Sequence, residues 1–307
     1  MSHKRLSSVV VAALLVCALV ALTGCGRPST ERPGGKTLIQ NKGSDSMVIA
    51  ALVWAERYSD VQDRVGVAVT GGGSGVGISS LLNGTADLAN ATRKMKPSEV
   101  ERARAGGHEP VATVVGYDAP AFIVHGKNPV EVLTFDQLAG IYGQGGAIEN
   151  WSQFGIEVPG CSSGEIVRVS RQSSSGTNEY LRRVLLGDKG EYKLNTRDMQ
   201  GSKDVVELVA STPCAIGYTG MAYAPPSRVK LPCIAQDSDS PCATPSMQSA
   251  VDGSYPIARP LMTYTLGQPE GAVADYLDWI RSDEGQCIVR EVGYAPMRPV
   301  YCPDSPR

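Results

Sequence analysis

Apolar positions along the chain alternate between short extended runs and longer runs of helical spacing. Thr37-Leu38-Ile39-Gln40 reads as a strand that enters Gly43-Ser44-Asp45-Ser46, and Met47, Ala50, Ala51, Trp54 and Tyr58 then share one helical face. Val65 to Val69 is the next strand, followed by a glycine-rich loop over 70–77 and a helix through Ile78, Leu81 and Leu82. Ala86 to Thr92 reads as a strand with a polar end, and Pro97-Ser98-Glu99 opens a further helix. Val111 to Val124 is one extended apolar run, predicted to cross from a first domain to a second. A short helix is predicted to start near Thr134. Glu165 to Ser170 is a strand, and Tyr180, Leu181, Val184 and Leu185 continue as a helix. A helix over 202–210 and a strand over 215–218 follow. Residues 224–256, rich in Pro, Ser and Asp, are predicted irregular. Arg259 to Thr265 is a strand back to the first domain, and helices over 272–280 and 284–292 close the chain.

This alternation predicts an α/β architecture with mainly parallel sheet. Ligands in such sheets sit beyond the carboxyl ends of the strands. The polar loops at 43–46, 73–75, 92–93 and 171–177 are therefore predicted to converge on one cleft. The loop Arg171-Gln172-Ser173-Ser174-Ser175-Gly176-Thr177 carries the most chemistry. Placed between a strand and a helix, Ser-Gly-Thr offers backbone N–H groups, hydroxyls and the positive end of a helix dipole, which suits an anion. Arg171 adds a planar fork of donors matched to a tetrahedral oxyanion. The plainer alternative is a serine helix cap beside a solvated arginine.

The first 25 residues change the address. Lys4 and Arg5 precede an apolar run from Val9 to Leu22, and Leu22-Thr23-Gly24-Cys25 resembles a bacterial lipoprotein processing box with Cys25 as the lipidated residue. The apolar run is shorter than the roughly 20 residues that span a bilayer. A membrane anchor or an ordinary secretory signal are the alternatives. Residues 26–36 contain no apolar side chain and read as a tether, so the folded part is expected outside the cytoplasm, held to a membrane by lipid.

Cysteine usage fits export. Beyond Cys17 and Cys25 remain Cys161, Cys214, Cys233, Cys242, Cys287 and Cys302, an even set open to 15 connectivities. Spacing favours Cys233–Cys242 and Cys287–Cys302, which leaves Cys161–Cys214. No C-x-x-C occurs and His3, His108 and His125 lie far from the cysteines, so neither a metal nor a cofactor is expected. The net charge is −2, and residues 1–25 hold two basic and no acidic residues, which leaves −4 for the remainder. A mildly acidic chain without a basic run is a poor nucleic-acid partner. The glycine string at 71–77 lacks both a Walker lysine and a convincing ribose-binding strand, and Val76 breaks a G-x-S-x-G elbow around Ser74.

Taken together, Gly43-Ser44-Asp45-Ser46-Met47, Gly72-Gly73-Ser74-Gly75-Val76-Gly77, Ala86 through Arg93, Arg171…Ser175-Gly176-Thr177 and Ala215-Ile216-Gly217-Tyr218 resemble the PstS-type phosphate-binding proteins of bacterial phosphate ABC importers, over roughly residues 37–300. The resemblance implies a two-lobed periplasmic binding protein fold of type II, with hinge strands and a cleft between lobes. Lobe 1 would comprise residues 37–120 plus 260–307, and lobe 2 residues 121–259. It implies a monomeric solute receptor for inorganic phosphate, serving a membrane-embedded ABC permease, with Ser44, Asp45, Ser46, Ser74, Gly75, Thr92, Arg171, Ser175, Gly176 and Thr177 around the ligand. One departure matters: many relatives end the third strand in Ser-Asp, whose carboxylate accepts the phosphate proton, where this chain has Ala91-Thr92-Arg93. Asp45 is then the candidate acceptor, with a helix-capping role as the alternative. Receptors for sulfate or molybdate, and a phosphate sensor or scavenger without a permease, are the neighbouring functions. A phosphatase using Ser175 or Ser74 would need a base or metal that neither His108 nor His125 is placed to supply, so no catalytic residue is assigned.

Overall fold

The computed structural model describes residues 36–302. The export-signal reading with Cys25, the tether up to residue 35 and the last five residues lie outside the described residues.

Strand β1 (Thr37–Gly43) ends at a glycine held at φ +141°, where a Cβ would lie 2.2 Å from the carbonyl oxygen of Asn90. Only glycine fits there. Helix α1 (Val48–Val61) buries Ala50, Ala51, Trp54 and Tyr58, the face its spacing predicts. Strand β2 (Val65–Thr70), helix α2 (Ser74–Leu82), strand β3 (Leu88–Ala91), helix α3 (Pro97–Ala105) and strand β4 (Pro110–Asp118) follow. At Asp118-Ala119-Pro120 the chain leaves this sheet. Strand β5 (Ala121–His125) opens the second.

Next come β6 (Val132–Thr134), α4 (Phe135–Tyr142), β7 (Val167–Arg171), α5 (Gly176–Leu186), β8 (Arg197–Met199), α6 (Ser202–Ser211), β9 (Ala215–Thr219), β10 (Val229–Lys230), β11 (Cys233–Ala235) and α7 (Met247–Val251). Strand β12 (Arg259–Leu266) returns to the first sheet, and α8 (Gly271–Arg281) and α9 (Asp283–Glu291) finish the fold.

The two five-stranded sheets run β2-β1-β3-β12-β4 and β10-β5-β9-β7-β8. The first packs Met47, Trp54 and Tyr58 with Tyr276, Leu277 and Ile288 on one face, and Ile78 and Leu81 with Ala89, Ala91 and Met262 on the other. In the second, β5 alternates: Phe122 and Val124 join Leu138, Tyr142 and Trp151, while Ala121 and Ile123 join Val205 and Val209. That is the two-residue period of a strand buried on both faces.

The sheets are mixed, where mainly parallel sheets were expected. Strand β12 runs antiparallel to β3 and β4, and β5 antiparallel to β9 and β10; β1–β3, β7–β8 and β7–β9 are parallel. The cause is the crossing itself. The chain leaves the first sheet at Asp118 and re-enters beside it, Arg259 pairing in register with Asp118, so β12 must run against β4. The expected irregular stretch 224–256 holds three short elements, β10, β11 and α7, while β6 and β8 also lay below sequence resolution. Each has five residues or fewer, too short for a period to register. Disulfides join Cys161–Cys214, Cys233–Cys242 and Cys287–Cys302, with Cα separations of 5.0, 5.5 and 5.5 Å. Among the described residues no helix is long and apolar enough to cross a membrane.

Candidate functional site

Four loops meet between the sheets. The first leaves β1 at Gly43, passes Ser44 and forms a 3-10 turn over Asp45–Met47 before α1. The second precedes α2, whose first residue is Ser74; the third follows β3 at Thr92; the fourth joins β7 to α5 through Ser175. Helix N-termini bring N–H groups without intrahelical acceptors to the same place.

Hydroxyls line it. Ser44 Oγ lies 3.4 Å and Ser74 Oγ 3.5 Å from Thr92 Oγ1, the Thr92 N–H donates to Ser74 Oγ at 3.1 Å, and Ser46 Oγ is 3.1 Å from Thr177 Oγ1. Ser44, Ser46, Ser74, Thr92, Ser175 and Thr177 are all buried. Gly176 fits between them because it has no side chain: a Cβ there would sit 2.1 Å from Ser74 Oγ and 2.6 Å from Thr92 Oγ1. The Gly75 N–H donates to the Ser174 carbonyl at 3.0 Å, bridging the α2 and α5 loops. Ser175 also caps α5, its Oγ accepting from the Asn178 N–H.

Arg171 is fully buried at the end of β7. Its Nη1 donates to Ser202 Oγ at 2.9 Å, and its Nη2 donates to the Gln200 carbonyl at 2.8 Å and to Asp45 Oδ2 at 3.0 Å, while Nε has no partner among the described residues. Burial pulls its pKa below the ordinary guanidinium value, and the charge of Asp45 opposes that shift. It stays a cation at neutral pH, because a guanidinium is not deprotonated in proteins.

Asp45 does not cap the helix it opens, which corrects the capping alternative. Its Oδ1 accepts from the Gly72 N–H at 2.7 Å and its Oδ2 from Arg171, while neither the 3-10 turn nor α1 has a side-chain cap. Asp45 lies inside the turn rather than before it, and the glycine loop closes over its carboxylate. A Cβ on Gly71 would meet Oδ1 at 2.6 Å. Tyr223 donates its hydroxyl to the Asp45 carbonyl at 3.0 Å; burial first, then the nearby Asp45 charge, pushes its pKa up to about 12, so it remains a donor.

All ten sequence-predicted residues thus come together, with Gly75 at the interloop contact. His108 is exposed after α3 and His125 half-buried at the end of β5, away from these loops. Among the described residues no cluster of His, Cys, Asp and Glu could hold a metal ion.

Sequence reasoning missed the buried pair beneath. Arg259 Nε and Nη2 donate to Asp118 Oδ2 at 3.1 and 2.7 Å, and the guanidinium reaches Thr92 O at 3.2 Å and Thr177 Oγ1 at 2.8 Å. The signal was present. Asp118 ends a long apolar run and Arg259 starts one, positions where a charge stays buried only if paired. Asn178 and Tyr218 were also missed; the Asn178 amide holds the Arg171 carbonyl at 2.6 Å and Ser170 Oγ at 3.1 Å, fixing the β7–α5 corner.

The profile of the PBP superfamily domain matches residues 29–284. A phosphate-binding protein PstS of Pseudomonas aeruginosa is 29% identical over 312 residues, covering 97% of this chain and 96% of the relative; one of Bacillus subtilis is 29% identical, covering 87% and 82%. Among solved structures, a protein of Clostridium perfringens assigned as a phosphate ABC transporter substrate-binding protein, with phosphate bound, superposes at a TM-score of 0.73 with 25% identity, over 85% of this chain and 100% of that one. An ABC-type phosphate transport receptor of Vibrio cholerae gives 0.66 and 25%, over 84% and 99%.

Proposed function

The chain belongs to the PBP superfamily, and from that premise we propose that it captures inorganic phosphate in the cleft between its sheets and hands it to an ABC-type phosphate permease. The observation that carries the reading is the closed cradle of buried hydroxyls and helix N-termini around Gly176, with Arg171 beside it. Such a cradle stabilises a compact oxyanion by hydrogen bonds and dipoles. Binding rather than catalysis is the reading that the chain's relatives, named as phosphate-binding proteins, support.

In this reading Ser44, Ser46, Ser74, Thr92 and Thr177 face the anion with their hydroxyls, Ser175 orders the α5 N-terminus, and Gly75 and Gly176 bring backbone close. Arg171 neutralises charge and Asp45 accepts the phosphate proton. Lobe 1 spans residues 37–120 plus 260–307 and lobe 2 residues 121–259, with β4 and β12 leading into the crossings. The chain acts as a monomer outside the cytoplasm, tethered through residues 26–36 by a lipid on Cys25. The PstS names of its relatives and the phosphate bound in the Clostridium perfringens structure support the choice of ligand.

Isothermal titration of the purified protein with phosphate, arsenate, sulfate and molybdate tests it. Phosphate is expected to bind most tightly, with arsenate competing. Preference for sulfate or molybdate would reassign the receptor to that anion.

A further inference from the structure

Arg259 is the first residue of β12 and Asp118 the last of β4, and they are register partners where the chain crosses between sheets. The side chains are 1% and 0% exposed. Asp118 Oδ1 also accepts from the Met221 N–H at 2.9 Å, so both carboxylate oxygens are hydrogen-bonded. The Arg259 guanidinium lies over the Tyr180 ring, 5.3 Å from its centroid. One rigid group therefore touches the crossing strands, the Thr92 carbonyl on the first sheet and the Thr177 hydroxyl on α5 of the second.

The bond to Thr177 has a direction. A guanidinium has donors and no acceptor, so Thr177 Oγ1 must accept and its own proton must turn away from Arg259. Away from Arg259 lies Ser46 Oγ, 3.1 Å distant. Accepting from a cation also polarises the hydroxyl into a stronger donor. The Ser46 contact joins Thr177 to the first sheet, while Arg259 holds it from the crossing itself.

We propose that Arg259 is a positioning residue for anion capture: held at the crossing by Asp118, it orients the Thr177 hydroxyl as a donor into the cradle. This rests on the reading of the cleft as an oxyanion site, but not on which oxyanion fills it.

The test is a double-mutant cycle read by isothermal titration of the full-length chain. Wild type, Arg259→Lys, Thr177→Val and the combination are titrated with phosphate, or with whichever of phosphate, arsenate, sulfate and molybdate the wild type holds most tightly. Each single change is expected to weaken binding roughly tenfold or more, and the combination to match Thr177→Val alone, because the two residues act through one hydroxyl. Unchanged affinity in Arg259→Lys, or losses that multiply, would overturn the inference while leaving the receptor reading intact. A wild type that binds none of the four would overturn the receptor reading and this inference with it. Should Arg259→Lys not fold, Asp118→Asn with Arg259→Gln replaces it in the cycle, since that pair leaves no uncompensated buried charge. The same outcomes then decide.

Discussion

Asp45 Oδ2 accepts a 3.0 Å hydrogen bond from Arg171 Nη2, and this ion pair joins the loop after β1 of the first sheet to the end of β7 in the second. Arg259, also buried, likewise has its own carboxylate in Asp118. Each of these two guanidinium charges is offset by a carboxylate, so an arriving dianion gains little from them as net charge. Its stabilisation must come from oriented donors in a place water does not reach, as helix N-termini and hydroxyls provide. That explains how a mildly acidic chain suits an anion receptor.

Arg171→Ala should weaken phosphate binding about a hundredfold or more. It removes a buried charged donor, an effect on the order of 3 kcal/mol, and leaves Asp45 facing the cleft without its counterion. Ser202 and the Gln200 carbonyl also lose their partner. Titration of the variant with phosphate, alongside circular dichroism to verify folding, checks this; retained affinity would move the site elsewhere.

Gly176→Ala probes shape alone. The added methyl would overlap Ser74 Oγ and Thr92 Oγ1, both across the cleft. Overpacking of this kind costs about 1–3 kcal/mol, so phosphate affinity should fall roughly 5- to 150-fold. The cost falls on closure, so the melting temperature without phosphate should stay near that of the wild type, and the increase on adding phosphate should shrink.

The anion loops were legible because their chemistry is local: a serine, a glycine and a helix start within a few residues. What crossed the molecule was not. Asp45 and Arg171 are 126 positions apart and Asp118 and Arg259 are 141 apart. No period or spacing couples such pairs, and only the return of β12 beside β4 brings the second together. The same crossing reversed β12 and spoiled the expectation of mainly parallel sheets. Disulfide pairing was readable for the opposite reason, since two of the three close short loops.

Acid should weaken the wall behind Thr92 through Glu99. Burial alone would raise the Glu99 pKa, but the hydrogen bond from Arg93, the Lys96 N–H and the charges of both residues hold it below its ordinary 4.5. A depressed carboxylate pKa adds stability that is complete above the unfolded value and fades as pH falls through the folded one. Glu99→Gln should therefore lower the melting temperature at pH 7 by about 2–4 °C, for a loss on the order of 1 kcal/mol. The wild type and variant curves should converge on the acid side of 4.5. A constant gap from pH 7 to pH 3 would contradict it.

Removing Cys161–Cys214 should cost more stability than removing Cys233–Cys242. The loops close 53 and 9 residues, for which chain entropy gives about 4 and about 2.6 kcal/mol. Denaturant titration of the two double-serine variants measures both values, and the reverse order would show that native-state strain outweighs loop entropy.

Asp45→Asn asks what discriminates phosphate from sulfate. Phosphate keeps a proton at neutral pH and sulfate does not, so one acceptor aimed at the ligand favours the first and repels the second. Asp45 is the one acid among residues 43–46, 73–75, 92–93 and 171–177. Its two oxygens already take the Gly72 N–H and the Arg171 Nη2, yet each carboxylate oxygen has a second lone pair. Asparagine would set its amide donors against one of those two donors and offer the ligand a single poorer acceptor. Phosphate affinity should fall and sulfate should become a measurable competitor, so the ratio of the two constants narrows. If Asp45 serves only as the counterion of Arg171, the substitution instead exposes that cation equally to both dianions, and both should bind more tightly by the same factor. Sulfate competition against phosphate at pH 7 separates the outcomes: a changed ratio identifies Asp45 as the proton acceptor, and a common shift assigns selectivity to the hydroxyls of Ser44, Ser74, Thr92 and Thr177.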